Sequence, residues 1–324
     1  MVRRSLSLRA IAAVVLLGGL ALVPVIASII GQPYYVTLFT RIVIYALAAV
    51  GLNLILGYGA LVSFGHAMYI GIGAYAVGIL SFYGVTNGWA QLGAALGCGA
   101  VVAAVIGLVC LRTSGVAFIM ITLAFAQMFY FLTISLKQFG GDDGLTVAAR
   151  SDFGIGTLTQ NVTLYYVSLG ILAVCLIGFA RLVNSRFGMV LRGCRSNERR
   201  MAALGFPTLR YKLAAYVISA LVCVVAGALL ANLTKFAAPS YMAWQVSGDL
   251  IVMIVLGGLG TVVGPVAGAV ALLVFEEILS GWTTHWMIVL GPAIVLIVLT
   301  AKRGIYGFLV DRDAQHARMK AERP

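Results

Sequence analysis

Charge is what this sequence is short of. Only 10 % of its 324 residues are Asp, Glu, Lys or Arg, and none of these occurs between Ile42 and Leu111. A soluble globule of this size needs far more polar surface. With 62 % hydrophobic residues and a mean hydropathy of +1.04, lipid is the natural solvent. The charge-free run alone is long enough for about three helical crossings of roughly 20 residues each. Acid is scarcer than base, 10 residues against 22, for a net charge of +12. The basic residues sit between apolar runs rather than among exposed aromatics, which argues against a nucleic-acid partner and for a role in orienting the chain. Cysteine is sparse too. Cys98, Cys110, Cys175, Cys194 and Cys223 show no metal-ligand or redox spacing and read as free thiols. No Gly-x-x-x-x-Gly-Lys-Ser/Thr run occurs and no Lys follows a Gly, so ATP chemistry, if used, belongs to a partner. Neither a cofactor nor a metal is expected.

What is present is a series of long apolar segments. Cutting at Pro, Gly clusters and charges gives ten candidate spans near 10–30, 36–56, 66–84, 89–111, 114–136, 163–181, 213–233, 246–260, 263–281 and 284–301. The glycines at 257, 258, 260 and 264 and Pro265 interrupt the stretch 246–281, which reads either as two spans or as one broken helix with a re-entrant turn. The first apolar run, about 21 residues, exceeds the 7–15 residues of a signal-peptide core and reads as a retained helix. With the N-terminus inside, 18 of the 22 basic residues fall in cytoplasmic segments, and the C-terminal tail 302–324 is cytoplasmic as well. Asp142, Asp143, Asp152, Asp249, Glu276 and Glu277 then fall at or near the outer face. Arg41 lies close to the outer end of its span, where a long side chain snorkels to the interface. The fold expected is all-α, a polytopic transmembrane bundle of about 8–10 spans with Gly-broken helices, in one domain over 1–324.

The loop 181–212 holds eight basic residues. Within it Arg199 to Leu204 are good helix formers, closed by Gly205 and Pro207. Ser196 or Asn197 can cap the start, and Glu198 in the first turn suits the helix dipole. A plain positive-inside loop on anionic headgroups explains the charge but not the cap or the Gly stop. A short rigid helix there offers a soluble partner something to grip.

Two apolar segments carry polar side chains. Gly57, Gly59 and Gly65 break a helix pattern beside Ser63 and His66; either this backbone lines a cavity or the glycines serve close helix packing. A lone buried His such as His66 is more often a satisfied structural residue than a ligand. Thr122 and Gln127 lie in an otherwise apolar helix, suited to passing a zwitterion without holding it, with interhelical hydrogen bonding the competing explanation. The Gly140–Thr146 segment mixes acid and Gly but lacks the further ligands of a Ca²⁺ loop, so it reads as a helix end and turn.

From Ala46 to Phe308 the chain resembles the permease subunits of ABC importers of the branched-chain amino acid type, the LivM-like kind. The stretches that carry the resemblance are Gly51 to Ala67 with Asn53, Gly71 to Tyr75, Gly115 to Gln127, Gly140 to Thr146, Ser185 to Gly188 leading to Ala202–Gly205, and Val255 to Pro265. The resemblance implies that the loop helix is a coupling helix seated in a groove of an ATP-binding subunit. Glu198, Ala202, Ala203 and Gly205 match a loose form of the coupling motif, with Arg199 and Arg200 departing from its fuller Glu-Ala-Ala pattern. The expected coupling set is Arg195, Ser196, Asn197, Glu198, Ala202, Ala203 and Gly205. The expected pathway set is Asn53, Gly57, Gly59, Ser63, Gly65, His66, Thr122 and Gln127. The implied partners are a second permease subunit, two ATP-binding cassette ATPases, an external solute-binding protein and membrane lipid, in a bacterial inner membrane. A self-sufficient secondary transporter is the nearest alternative. An intramembrane serine hydrolase using Ser63 and His66, read as three residues apart on one helix face, is a more distant one, because no buried carboxylate stands ready to orient the His.

Overall fold

The structure is a computed structural model that describes residues 8–154, 160–283 and 285–300. The cytoplasmic tail expected at 302–324 and the basic residues Arg3 and Arg4 lie outside the described residues. Eleven α-helices are present among those described: α1 (Leu8–Ile30), α2 (Pro33–Gly57), α3 (His66–Phe82), α4 (Gly88–Cys110), α5 (Val116–Ser135), α6 (Asn161–Asn184), α7 (Arg186–Ala203), α8 (Thr208–Thr234), α9 (Trp244–Gly257), α10 (Gly264–Trp282) and α11 (Trp286–Thr300). Of these, α2, α4, α5, α6, α8 and α10 are long and apolar enough to cross a membrane. The chain is a multi-pass α-helical membrane protein.

Its centre is α2. From Ile42 to Gly57 every residue but Tyr45 is buried, the pattern of a helix that is apolar all round and walled in by others. Helix α8 packs on it and on α3 and α4. Small residues let α3 and α8 approach closely: a side-chain carbon on Gly73 would meet the Val224 carbonyl, and one on Gly227 the Ile70 carbonyl. Helices α4 and α5 by contrast bury one stripe each, through Gln91, Ala95, Gly99 and Ala103 on α4 and Phe118, Thr122, Ala126 and Thr133 on α5. Their other faces are left for lipid or a neighbouring subunit. Proline inside α1 is accommodated locally. Pro24 cannot donate to the Leu20 carbonyl four residues back, and the Tyr165 hydroxyl donates to it instead.

Two helix pairs do not run straight through. After Gly57 the chain leaves the helix, and α3 starts only at His66, whose ring reaches Ser219 of α8 while Ser219 donates to the Gly51 carbonyl. That places the start of α3 about 9 Å up α2 from Gly57. Helix α9, 14 residues and so about 21 Å long, is shorter than the roughly 30 Å hydrocarbon layer. It turns at residues 258–263 and returns as α10. Gly257 abuts the Gly264 carbonyl and Gly268 abuts the Met253 carbonyl, so the two run antiparallel. The stretch 246–281 is thus two helices joined at a glycine tip. At the other end of the bundle Leu145–Thr146 pairs antiparallel with Phe236–Ala237, and Ser151 N–H donates to Asn232 at 2.8 Å. The segment after α5 is a single 3₁₀ turn, Lys137–Phe139, ended by Gly140 at φ +90°, followed by this pairing.

Candidate functional site

The loop between α6 and α8 is more ordered than its charge suggests. Residues 186–196 form a helix that was not legible in the sequence. It buries Gly188, Val190, Leu191 and Cys194 and stacks Phe187 against Tyr211 with ring centroids 5.6 Å apart. The arginines around that stripe hid it, yet Arg192 is itself engaged: its Nη2 donates to the Val183 carbonyl at 3.0 Å.

Asn197 then breaks the helix with an extended backbone, φ −160° and ψ 102°. Its Oδ1 accepts from Arg200 N–H at 2.9 Å, which makes it the N-cap of a second, short helix. Of the two cap candidates Asn197 fills the position. The far end closes as a Schellman motif: Gly205 N–H bonds Ala202 O at 2.9 Å, Phe206 N–H bonds Met201 O at 3.2 Å, and Gly205 sits at φ +87°. Residues 202–207 are all exposed, Leu204 at 66 %. An apolar tip of Ala202, Ala203, Leu204 and Phe206 therefore projects from the bundle, flanked by the exposed Arg199, Arg200 and Arg210.

Two contacts tie this tip to the membrane helices. Glu198 pairs with Lys212 Nζ of α8 at 2.5 Å, the Lys side chain 8 % exposed and the Glu 44 %. Arg195 Nη1 donates to the carbonyl of Gly57 at the end of α2. That carbonyl lies where the two glycine breaks converge. Asn53 Nδ2 donates to Thr261 O at 2.8 Å, and its Oδ1 accepts from Gly260 N–H at 3.3 Å. A Cβ on Gly57 would stand 2.7 Å from Gly260 N and overlap Asn53. Asn53, Gly57 and Arg195 thus form one junction, with Thr261 and Gly260 as members outside the expected sets; Lys212, also outside them, holds Glu198 on α8.

Deeper in, Ser63, Gly65, His66 and Thr122 make a second group. His66 and Ser63 are both wholly buried. Ser219 donates to the Gly51 carbonyl at 2.7 Å, so it accepts from His66 Nε2 at 3.0 Å, and Nδ1 is left to accept from Ser63 Oγ at 2.9 Å. Ser63 also accepts from Gly65 N–H at 3.2 Å. Tyr69 and Tyr216 stand edge-on to the imidazole, with centroids 5.6 and 5.5 Å away. Thr122 accepts from Phe64 N–H at 3.3 Å and donates to Ile119 O at 2.9 Å, so it braces the non-helical segment ahead of α3. Ser63 lies in that segment and not on a helix face shared with His66, and both His ring nitrogens meet serines, not a carboxylate. The arrangement is a hydrogen-bonded pin between α2, α3 and α8. Gly59 N–H bonds Ile55 O at 3.0 Å in the turn that ends α2. Gln127, half-buried further along α5, lies outside this network. Ser219 carried the same signal as Thr122, a hydroxyl in an apolar span, and was the member most open to discovery.

The family described as "Branched-chain amino acid transport system / permease component" matches residues 34–299, which include the junction, the pin and the projecting loop. The chain belongs to this family. Among its relatives is the "High-affinity branched-chain amino acid transport system permease protein LivM" of Salmonella typhimurium, 26 % identical over 83 % of this chain and 69 % of that protein. LivM of Escherichia coli strain K12 is 25 % identical over 88 % of this chain and 74 % of its own length. LivH of the same strain is 25 % identical over 81 % of this chain and 91 % of its own length. No solved structure matches significantly. The permease is therefore a transport subunit of the membrane. Its similarity to both LivM and LivH is consistent with a fold shared by the two permease kinds.

Proposed function

We propose that this permease is the pore-forming subunit of an ATP-driven importer for branched-chain or related hydrophobic amino acids. It works with a second permease, two ATPase subunits and an external solute-binding protein, in a bacterial inner membrane. The loop 181–212 and both termini face the cytoplasm, where 18 of 22 basic residues then lie. The observation that carries this reading is the short capped helix Glu198–Ala203. It presents an apolar tip to solvent while Glu198 and the adjacent Arg195 grip α8 and α2. A push on that tip is delivered to the junction where both broken helix pairs meet. Asn53, Gly57 and Gly59 then belong to the gated end of the pathway; Ser63, Gly65, His66 and Thr122 hold α3 in register beside it, with Gln127 on the neighbouring helix.

The test is Gly205→Glu in the complete transporter. A side chain at φ +87° strains the Schellman end, and the added carboxylate sits on the docking tip. ATP-dependent uptake of L-leucine falls to background while the chain stays in the membrane at normal amount. Uptake at the normal level, or uptake by the chain without any ATPase, would falsify the assignment.

A further inference from the structure

The end of the bundle opposite the loop holds charges that neither the junction nor the pin uses. Arg41 is on α2, Asp249 on α9 and Glu276 on α10, and these three helices pack on one another. Measured along their helices from Pro33, Trp244 and Trp282, the three lie about 12, 8 and 9 Å from that end, at a similar level inside the outer half of the bundle. Sequence reasoning set the acids at or near the outer face and left Arg41 to snorkel close by; the structure adds that Arg41, Asp249 and Glu276 gather there. Arg41 and Asp249 are exposed and Glu276 is half-buried, and the three lie within electrostatic reach of one another.

A charge facing acyl chains is costly, so a face carrying three is turned to water or to protein. Arg41 does not close an ion pair with either acid among the described residues; its guanidinium stands 5.7 Å over the Tyr45 ring. Glu277, the adjacent acid, is engaged by the Tyr34 hydroxyl. Positive and negative groups are thus held apart on separate helices, near one another but unpaired. A lone anion or cation satisfies one sign and leaves the other unmet; a molecule bearing both charges a few ångströms apart satisfies both.

We propose that Arg41, Asp249 and Glu276 form an entry site for a zwitterionic amino acid, Arg41 binding the carboxylate through paired N–H donors and the two acids receiving the ammonium group. This rests on the importer reading above and adds a substrate contact to it.

The test uses the complete transporter and radiolabelled L-leucine. Arg41→Gln, and Asp249→Asn with Glu276→Gln, lower uptake at sub-saturating leucine by roughly 10- to 100-fold, the loss of a charge-assisted pair, with the binding protein's affinity and the amount of chain in the membrane unchanged. Arg41→Lys recovers part of the loss. Independently of folding, Arg41→Cys and Asp249→Cys in intact cells react with a charged, membrane-impermeant thiosulfonate. Saturating L-leucine slows that reaction, whereas isoamylamine and isocaproate, which carry one charge each, do not. Uptake within about twofold of wild type, cysteines that do not react because lipid or the second permease covers them, or labelling indifferent to leucine overturns the site. If Gly205→Glu abolishes uptake while Arg41→Gln transports normally, the entry site alone fails. If wild-type uptake needs no ATPase, the importer reading fails first.

Discussion

Asn197, Glu198 and Cys194 occupy one turn of space at the break in α7, and each reports on the others. Cys194 is buried, and burial holds its thiol above the usual range; the Glu198 charge acts the same way and Lys212 opposes it. Since the thiolate is the reactive form, the wild-type thiol is slow toward iodoacetamide at neutral pH. Glu198→Gln leaves the Lys212 ammonium, 8 % exposed on its side chain, without a partner. Because Glu198 is itself 44 % exposed, the cost is discounted to about 1–2 kcal/mol rather than the full penalty of a buried pair. Removing the Glu charge lowers the thiol's pKa, and loosening the break exposes it, so both effects speed alkylation. Asn197→Ala loses the cap, about 1 kcal/mol, and speeds it by exposure alone. The order expected by mass-spectrometric labelling is Glu198→Gln, then Asn197→Ala, then wild type. Equal rates in all three would mean that the pair and the cap do not hold the loop down.

At the scale of elements, what was legible and what was not divides along a physical line. The ten spans read from apolar runs match α1 to α6 and α8 to α11 to within a few residues, because in lipid a helix announces itself by the length of its charge-free stretch. The Gly205 stop and the cap were legible because both are local chemistry. The 186–196 helix was not: its buried stripe is three apolar residues and a glycine among arginines, and no single-sequence pattern separates that from a solvated basic loop. Nor was the meeting of Asn53 with Gly260 and Thr261, separated by more than 200 residues, or the gathering of Arg41 with Asp249 and Glu276. These are facts of packing between distant elements. The glycines of α3 and α8 sit between the two cases. Gly73 was legible only within a stretch that carries the family resemblance and Gly227 was not singled out; the structure shows both serving close packing of α3 on α8. Gly227→Ala puts a methyl group on the Ile70 carbonyl and forces the most extensive helix pair apart. It should destabilise the detergent-solubilised permease by about 1–3 kcal/mol, read as a lower unfolding midpoint. Gly93→Ala on the exposed side of α4, where nothing lies within 4 Å, should leave the midpoint unchanged.

For the whole molecule the open question is how a push on the loop reaches the pathway, and Arg195 is the residue that separates coupling from folding. Its guanidinium, carried by the last residues before the Asn197 break, bonds a carbonyl at the end of α2 beside Gly260. Lys212 and Glu198 fasten the same loop to α8. The loop therefore has two attachments, one to α8 through Lys212 and one to the end of α2 at the junction of the broken pairs. If both merely secured the loop, losing either would lower the amount of permease and leave its efficiency intact. If the Arg195 contact transmits movement, Arg195→Ala should leave the assembled complex present and hydrolysing ATP, while leucine imported per ATP consumed falls several-fold. Reconstituted vesicles, with uptake and phosphate release measured on the same sample, give that ratio directly. Arg195→Lys tests the geometry: a single ammonium reaches the carbonyl less rigidly than a planar guanidinium, so an intermediate ratio is expected. An unchanged ratio with less complex recovered would place Arg195 with the fold and leave Glu198–Lys212 as the route.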